Sequence, residues 1–155
     1  MLVPKIVIVK KGSMMFTHTL NTWLLAHLFH PFLFFGFMFL QYPEETGIED
    51  MGILMFFFVV ALLLSTPAFV LLRLALYGIS NLILSAYEKF FLWLIAAPVA
   101  IILNFLGLML VTKQAVNLDE FYFILPSIMA AIISVLLRTR SFFQLQTNIK
   151  SLNQS

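Results

Sequence analysis

Apolar residues run through this chain in long, nearly unbroken blocks, without the strict alternation of a half-buried strand or the regular polar face of a soluble helix. Four blocks stand out, at 23–40, 51–72, 90–111 and 118–137. A crossing helix needs roughly 20 mostly apolar residues, because about 30 Å of hydrocarbon is traversed at ~1.5 Å per residue. The second and third blocks meet that length cleanly. The first is short and borrows Asn21 and Thr22; the last reaches full length only from Leu118. The pattern predicts an all-α membrane protein with four transmembrane helices, arranged as two tandem helical hairpins in a single membrane domain, 1–155.

Between and after the blocks the pattern changes. After Arg73, apolar Leu76, Ile79, Leu82, Ile83 and Ala86 recur at helical spacing, while Ser80, Asn81, Ser85 and Glu88 stay off that stripe. After Arg140, Phe142, Leu145, Ile149 and Leu152 do the same among Gln, Asn and Ser. Segments 74–89 and 141–152 therefore read as amphipathic helices lying in the membrane interface, with a protein groove as the competing partner. The opening stretch Leu2 to Val9 is apolar but too short to cross; it reads as an interfacial, strand-like arm, or as sequence upstream of a start at Met14 or Met15.

Composition agrees with a bilayer environment. Hydrophobic residues make up 62% of the chain and charged residues 10%, with a mean hydropathy of +1.03, far from the mixture that covers a soluble domain. Zero cysteines exclude disulfides, thiolate metal sites and a cysteine nucleophile. No cleavable signal peptide is evident, since a basic arm precedes a full span without a small-residue cleavage pattern.

Charge then sets an orientation. Lys5, Lys10, Lys11, Arg73, Lys89, Arg138, Arg140 and Lys150 fall on one side of the four blocks, and only Lys113 falls on the other. Lys and Arg near span ends are retained in the cytoplasm, so both termini are expected there, in a cell membrane. The pI of about 9.0 is not read as nucleic-acid affinity, because these cations are spread along an edge where anionic lipid is the neighbour.

The two halves, 23–73 and 93–138, resemble each other. Trp23-Leu24-Leu25-Ala26 matches Trp93-Leu94-Ile95-Ala96, Gly36-Phe37-Met38 matches Gly107-Leu108-Met109, and Val70-Leu71-Leu72-Arg73 recurs as Val135-Leu136-Leu137-Arg138. Bilayer placement of interfacial Trp and Arg produces some of this without duplication. The acids repeat as well: Thr46-Gly47-Ile48-Glu49 and Asn117-Leu118-Asp119-Glu120 have the spacing of a helix-starting capping box. Only Glu44 and Glu45 are left as a candidate outer acidic patch.

Candidate chemistry comes last and is sparse. Pro31, Pro67, Pro98 and Pro126 give each block one proline, which frees a backbone carbonyl that lipid cannot satisfy. His27 and His30 share a helix face, near Pro31; Ser65 and Thr66 precede Pro67; Asn104, Ser127 and Ser134 complete the buried polar set. Such groups turn inward and hydrogen-bond across helices, or they line a polar pathway. His18 lies on a different face from His27 and reads as interfacial. Haem ligation is weak because both intramembrane histidines sit on one helix, and zinc lacks a carboxylate to complete its ligand set. No nucleophile elbow, phosphate loop or H-E-x-x-H motif is present, so neither an enzyme nor a cofactor is expected. The sequence thus supports a non-catalytic assembly, scaffold or regulatory component of a membrane complex, with lipid, a second copy or a membrane protein as partner. The alternatives are a small homo-oligomeric channel or transporter, and a bundle binding haem or quinone.

Overall fold

The structure is a computed structural model that describes residues 3–41, 51–113 and 118–154. The described residues are helical, with no strand among them: α1 (Val3–Gln41), α2 (Met51–Leu64), α3 (Thr66–Asn81), α4 (Ala86–Thr112), α5 (Leu118–Leu137) and α6 (Thr139–Gln154). Helices Val9–Gln41 and Ala86–Thr112 are each long and apolar enough to cross a membrane. Two further pairs, Phe58–Leu64 with Thr66–Asn81 and Ile124–Leu137 with Thr139–Leu152, bring the number of candidate spans to four if each bent pair is one span.

The N-terminal arm is not strand-like. It belongs to a 39-residue helix that continues without a break through Pro31. A proline inside a helix deletes one backbone bond and crowds the carbonyl four residues earlier, a cost that packing against neighbouring helices can offset.

The block at 51–72 is not a straight helix ending at Arg73. It breaks at Ser65, where α2 and α3 meet at 50°, and α3 then carries the chain past Arg73 to Asn81. Pro67 sits in the first turn of α3, where its missing N–H costs nothing, while the residue before a proline resists helical geometry. The Thr66 hydroxyl bonds back to Leu63 O at 2.8 Å, supplying a donor to a carbonyl that the break would orphan, and Ser65 Oγ lies 3.1 Å from Leu62 O. α4 begins at a full capping box: Ser85 Oγ accepts from Glu88 N at 3.3 Å, and Ser85 N donates to Glu88 Oε2 at 2.7 Å. It ends on Lys113 in the left-handed conformation, φ 56°.

The apolar stripes of the two amphipathic segments are covered in part by the chain itself. Segment 74–89 is the end of α3, a turn and the start of α4; Leu76 and Ile79 are buried, whereas Ile83 is fully exposed at 103%. In α6 the stripe of Phe142, Leu145 and Ile149 is buried in the same core as Met15, Leu72 and Trp93. The physical reason is that a helix stripe is satisfied equally by lipid or by an apolar surface of its own chain, and here the 59° bend after α5 folds α6 back onto α1 and α4.

α1 packs most extensively on α5, and α4 lies between α3 and α5. Ala97 and Ala100 on α4 and Ala130 and Ala131 on α5 are buried, small residues that let helix backbones approach closely. Leu40, Leu110 and Val111 remain about four-fifths exposed (80%, 81% and 81%), an apolar exterior suited to lipid. Each half of the chain is one long helix followed by a bent pair, yet the bends fall at different places, Ser65 well before Arg73 and the second at Arg138 itself. Lys11 Nζ donates to Asn81 Oδ1 at 2.7 Å and Lys89 Nζ to Ser80 O at 3.1 Å, gathering cations from α1 and α4 around the end of α3.

Candidate functional site: a polar-lipped cavity inside the bundle

Helices α1 to α5 line a cavity of about 240 Å³. Its walls are mostly apolar, from Ala26, Ala61, Leu64, Ala68, Ala97 and Ile101 among others. Alanines leave the space: they line α1, α2, α3, α4 and α5, and none reaches far enough to fill the centre. Five residues of the expected polar set open onto it, namely His27, His30, Ser65, Asn104 and Ser127. The other two do not line it. The Thr66 hydroxyl is turned to Leu63 O, and Ser134, fully buried, bonds back to Ala130 O at 2.7 Å. Glu44 and Glu45 lie outside the described residues.

His27 and Ser65 form the best-ordered polar contact in the cavity wall. His27 Nδ1 lies 2.9 Å from Trp23 O, and since a carbonyl only accepts, that nitrogen carries the ring proton. His27 Nε2 is then the acceptor for the Ser65 hydroxyl at 2.7 Å. Ser65 Oγ in turn accepts from Trp23 Nε1 at 3.2 Å, which closes a loop of three hydrogen bonds between α1 and the α2–α3 break. The Trp23 ring packs at 4.6 Å from the His27 ring and 5.5 Å from Phe69, shielding the loop on one side. Trp23 was legible in the sequence only as an interfacial anchor; its role as a donor to Ser65 needed the bend that brings residue 65 beside residue 23.

Asn104 carries the unfinished chemistry. Its Nδ2 donates to Leu64 O at 3.3 Å across to α2, while Oδ1 is buried with no partner. His30 stands one turn from His27 with its ring 6.0 Å from Phe34, and Ser127 faces the space from α5. The cavity thus offers a buried acceptor at Asn104, with an imidazole and a hydroxyl nearby. Among the described residues no cluster of three His, Cys, Asp or Glu could hold a metal ion.

A second polar group was not anticipated from sequence. His18, expected at the interface, is buried to 4% exposure between α4 and α6; its Nδ1 lies 3.3 Å from Ser141 Oγ, and its ring packs against Trp93 and Phe142 at 6.1 and 5.9 Å. The fold-back of α6 buries it, and no local spacing signals that fold-back. Thr19 and Thr22 are buried beside it with their hydroxyls returned to Met15 O and His18 O, both at 2.9 Å. No known protein family, curated protein or solved structure matches this chain.

Proposed function

We propose that this chain is a four-span protein of the cell membrane with cytoplasmic termini, acting without catalysis as a regulatory or assembly component, and that its bundle cavity takes a small, largely apolar ligand. The observation that carries this reading is the convergence of His27, His30, Ser65, Asn104 and Ser127 on one cavity of about 240 Å³ with otherwise apolar walls. A cavity of roughly 150 Å³ already holds a benzene-sized molecule, so this one suits a single-ring molecule with a short substituent, or the end of a chain. The free Asn104 Oδ1 asks for a donor, which points to a hydroxyl or amide N–H on that ligand.

A polar pathway through a small homo-oligomer is the second reading, favoured by the two histidines on the cavity wall. The apolar walls weigh towards the first, because water and ions moving through hydrocarbon-like walls lose hydration without replacement.

The test is native mass spectrometry of protein purified from membranes in mild detergent, with Ala97→Leu as a cavity-filling variant. The expected result is a bound neutral molecule in the wild type, absent from the variant, together with altered partner assembly. An empty wild-type bundle that assembles as the variant does would overturn the reading.

A further inference from the structure

The bundle cavity is walled unevenly. Ala68, Leu72 and Ala97 close it on one side, and the α5 wall is buried at Ile124, Ala130 and Ala131. Among the described residues that line it, Leu64 at the end of α2 is the one that is exposed, at 48%. On α4, Asn104 and Leu108 are only half-buried, and Val111, seven residues after Asn104 and so on the same helix face, is 81% exposed.

Helix packing accounts for that exposure. α1 packs on α2, α3 and α5, and α4 packs on α3 and α5; among the described residues no comparable packing joins α2 to α4. The bend at Ser65 is the cause, because α3 stays against α4 while the 50° turn carries α2 off that line. A hydrogen bond crosses the gap, Asn104 Nδ2 donating to Leu64 O at 3.3 Å. The lips around it are apolar, with Val59 and Leu63 on α2 and Val111 on α4 all exposed. In a bundle that spans a membrane, such lips face hydrocarbon, so what passes between them comes from the bilayer.

The walls also set the chemistry of the guest. Among the described residues no Lys, Arg, Asp or Glu lines the cavity, so a charged head group would lose its hydration there without a counter-charge. Asn104 Oδ1 lacks a donor, and a neutral hydroxyl supplies one. About 240 Å³ holds such a head with a short stretch of chain, and a longer tail finds room only through the gap. We propose that the ligand is a neutral amphiphile dissolved in the bilayer, with a hydroxyl head at Asn104, which enters sideways between α2 and α4 and leaves its apolar tail in that gap. This route rests on the cavity being a ligand site, as proposed above, and adds the class of the ligand.

The full chain in mild detergent is titrated with straight-chain primary alcohols from hexanol to hexadecanol, and with hexadecane, while native mass spectrometry counts bound molecules. Saturable binding is expected for every alcohol, with no loss of affinity once the tail outgrows the cavity, at roughly eight carbons. Short alcohols bound but long ones refused would overturn the sideways route and leave the cavity reading standing. No saturable binding of any alcohol, or binding unchanged in Ala97→Leu, overturns both. Asn104→Leu is expected to weaken hexadecanol roughly tenfold and to leave hexadecane unchanged, and equal effects on the two overturn the hydroxyl head. Hexadecanol carrying a photoreactive diazirine midway along its tail is expected to label α2 and α4 beside the gap, at Leu63 or Val111, in the wild type and not in Ala97→Leu. Labelling confined to α1 or α5 overturns the route.

Discussion

Ser65 Oγ lies 2.7 Å from His27 Nε2, and the hydroxyl belongs to the one residue where the second apolar block stops being a single helix. The contact and the break depend on each other. The bend at Ser65 aims the hydroxyl at α1, and the loop through Trp23 and His27 holds the bend where Pro67 permits it.

This coupling is measurable. Ser65→Ala and His27→Ala are each expected to destabilise the bundle, and a double-mutant cycle should return a coupling of about 0.6–2 kcal/mol, the range for hydrogen bonds between membrane helices. Thermal unfolding in detergent reads it. Strictly additive effects would separate the two residues.

Pro67→Ala restores a backbone donor in the first turn of α3. The 50° angle between α2 and α3 is expected to decrease, which spin-label distances between α2 and the end of α3 would report. An unchanged angle would assign the bend to the Ser65 loop alone.

α6 gives the clearest choice between lipid and protein as the partner of an apolar stripe. Phe142 is 1% exposed among Trp93, Met15 and Leu145, so Phe142→Ala is expected to cost about 3–5 kcal/mol. A stripe resting in lipid would lose far less stability, because removing the ring there leaves no cavity in the fold. Equilibrium unfolding of the two forms decides between them.

His27→Ala and His30→Ala are expected to leave proton flux into reconstituted vesicles unchanged, since both side chains line a cavity whose walls are mostly apolar. A fall in flux in either variant would favour the channel reading over ligand binding.

The polar residues were legible from sequence because a histidine, serine or asparagine inside an apolar block is conspicuous, and five of the seven named there share the cavity wall. Thr66 and Ser134 do not, for a local reason: a hydroxyl can satisfy itself on a carbonyl three or four residues back, and sequence spacing cannot tell that choice from an interhelical bond. The cavity itself was not legible. It arises where Ala26, Ala61, Ala68, Ala97 and Ala131 meet, and their small size reads in one dimension as close packing.

By itself, the sequence determined that the chain is helical and apolar enough for a membrane, because block length and composition are one-dimensional properties that hydrocarbon thickness converts directly into helices. Tertiary structure alone decided that α6 folds back to bury His18, that the 51–72 block bends at Ser65, and that α1 packs chiefly on α5 and not on its neighbour in sequence. The reason is that an apolar stripe carries no address. Lipid and a facing helix satisfy it equally, and only the placement of small residues, hydroxyls and breaks against one another selects which surface it meets.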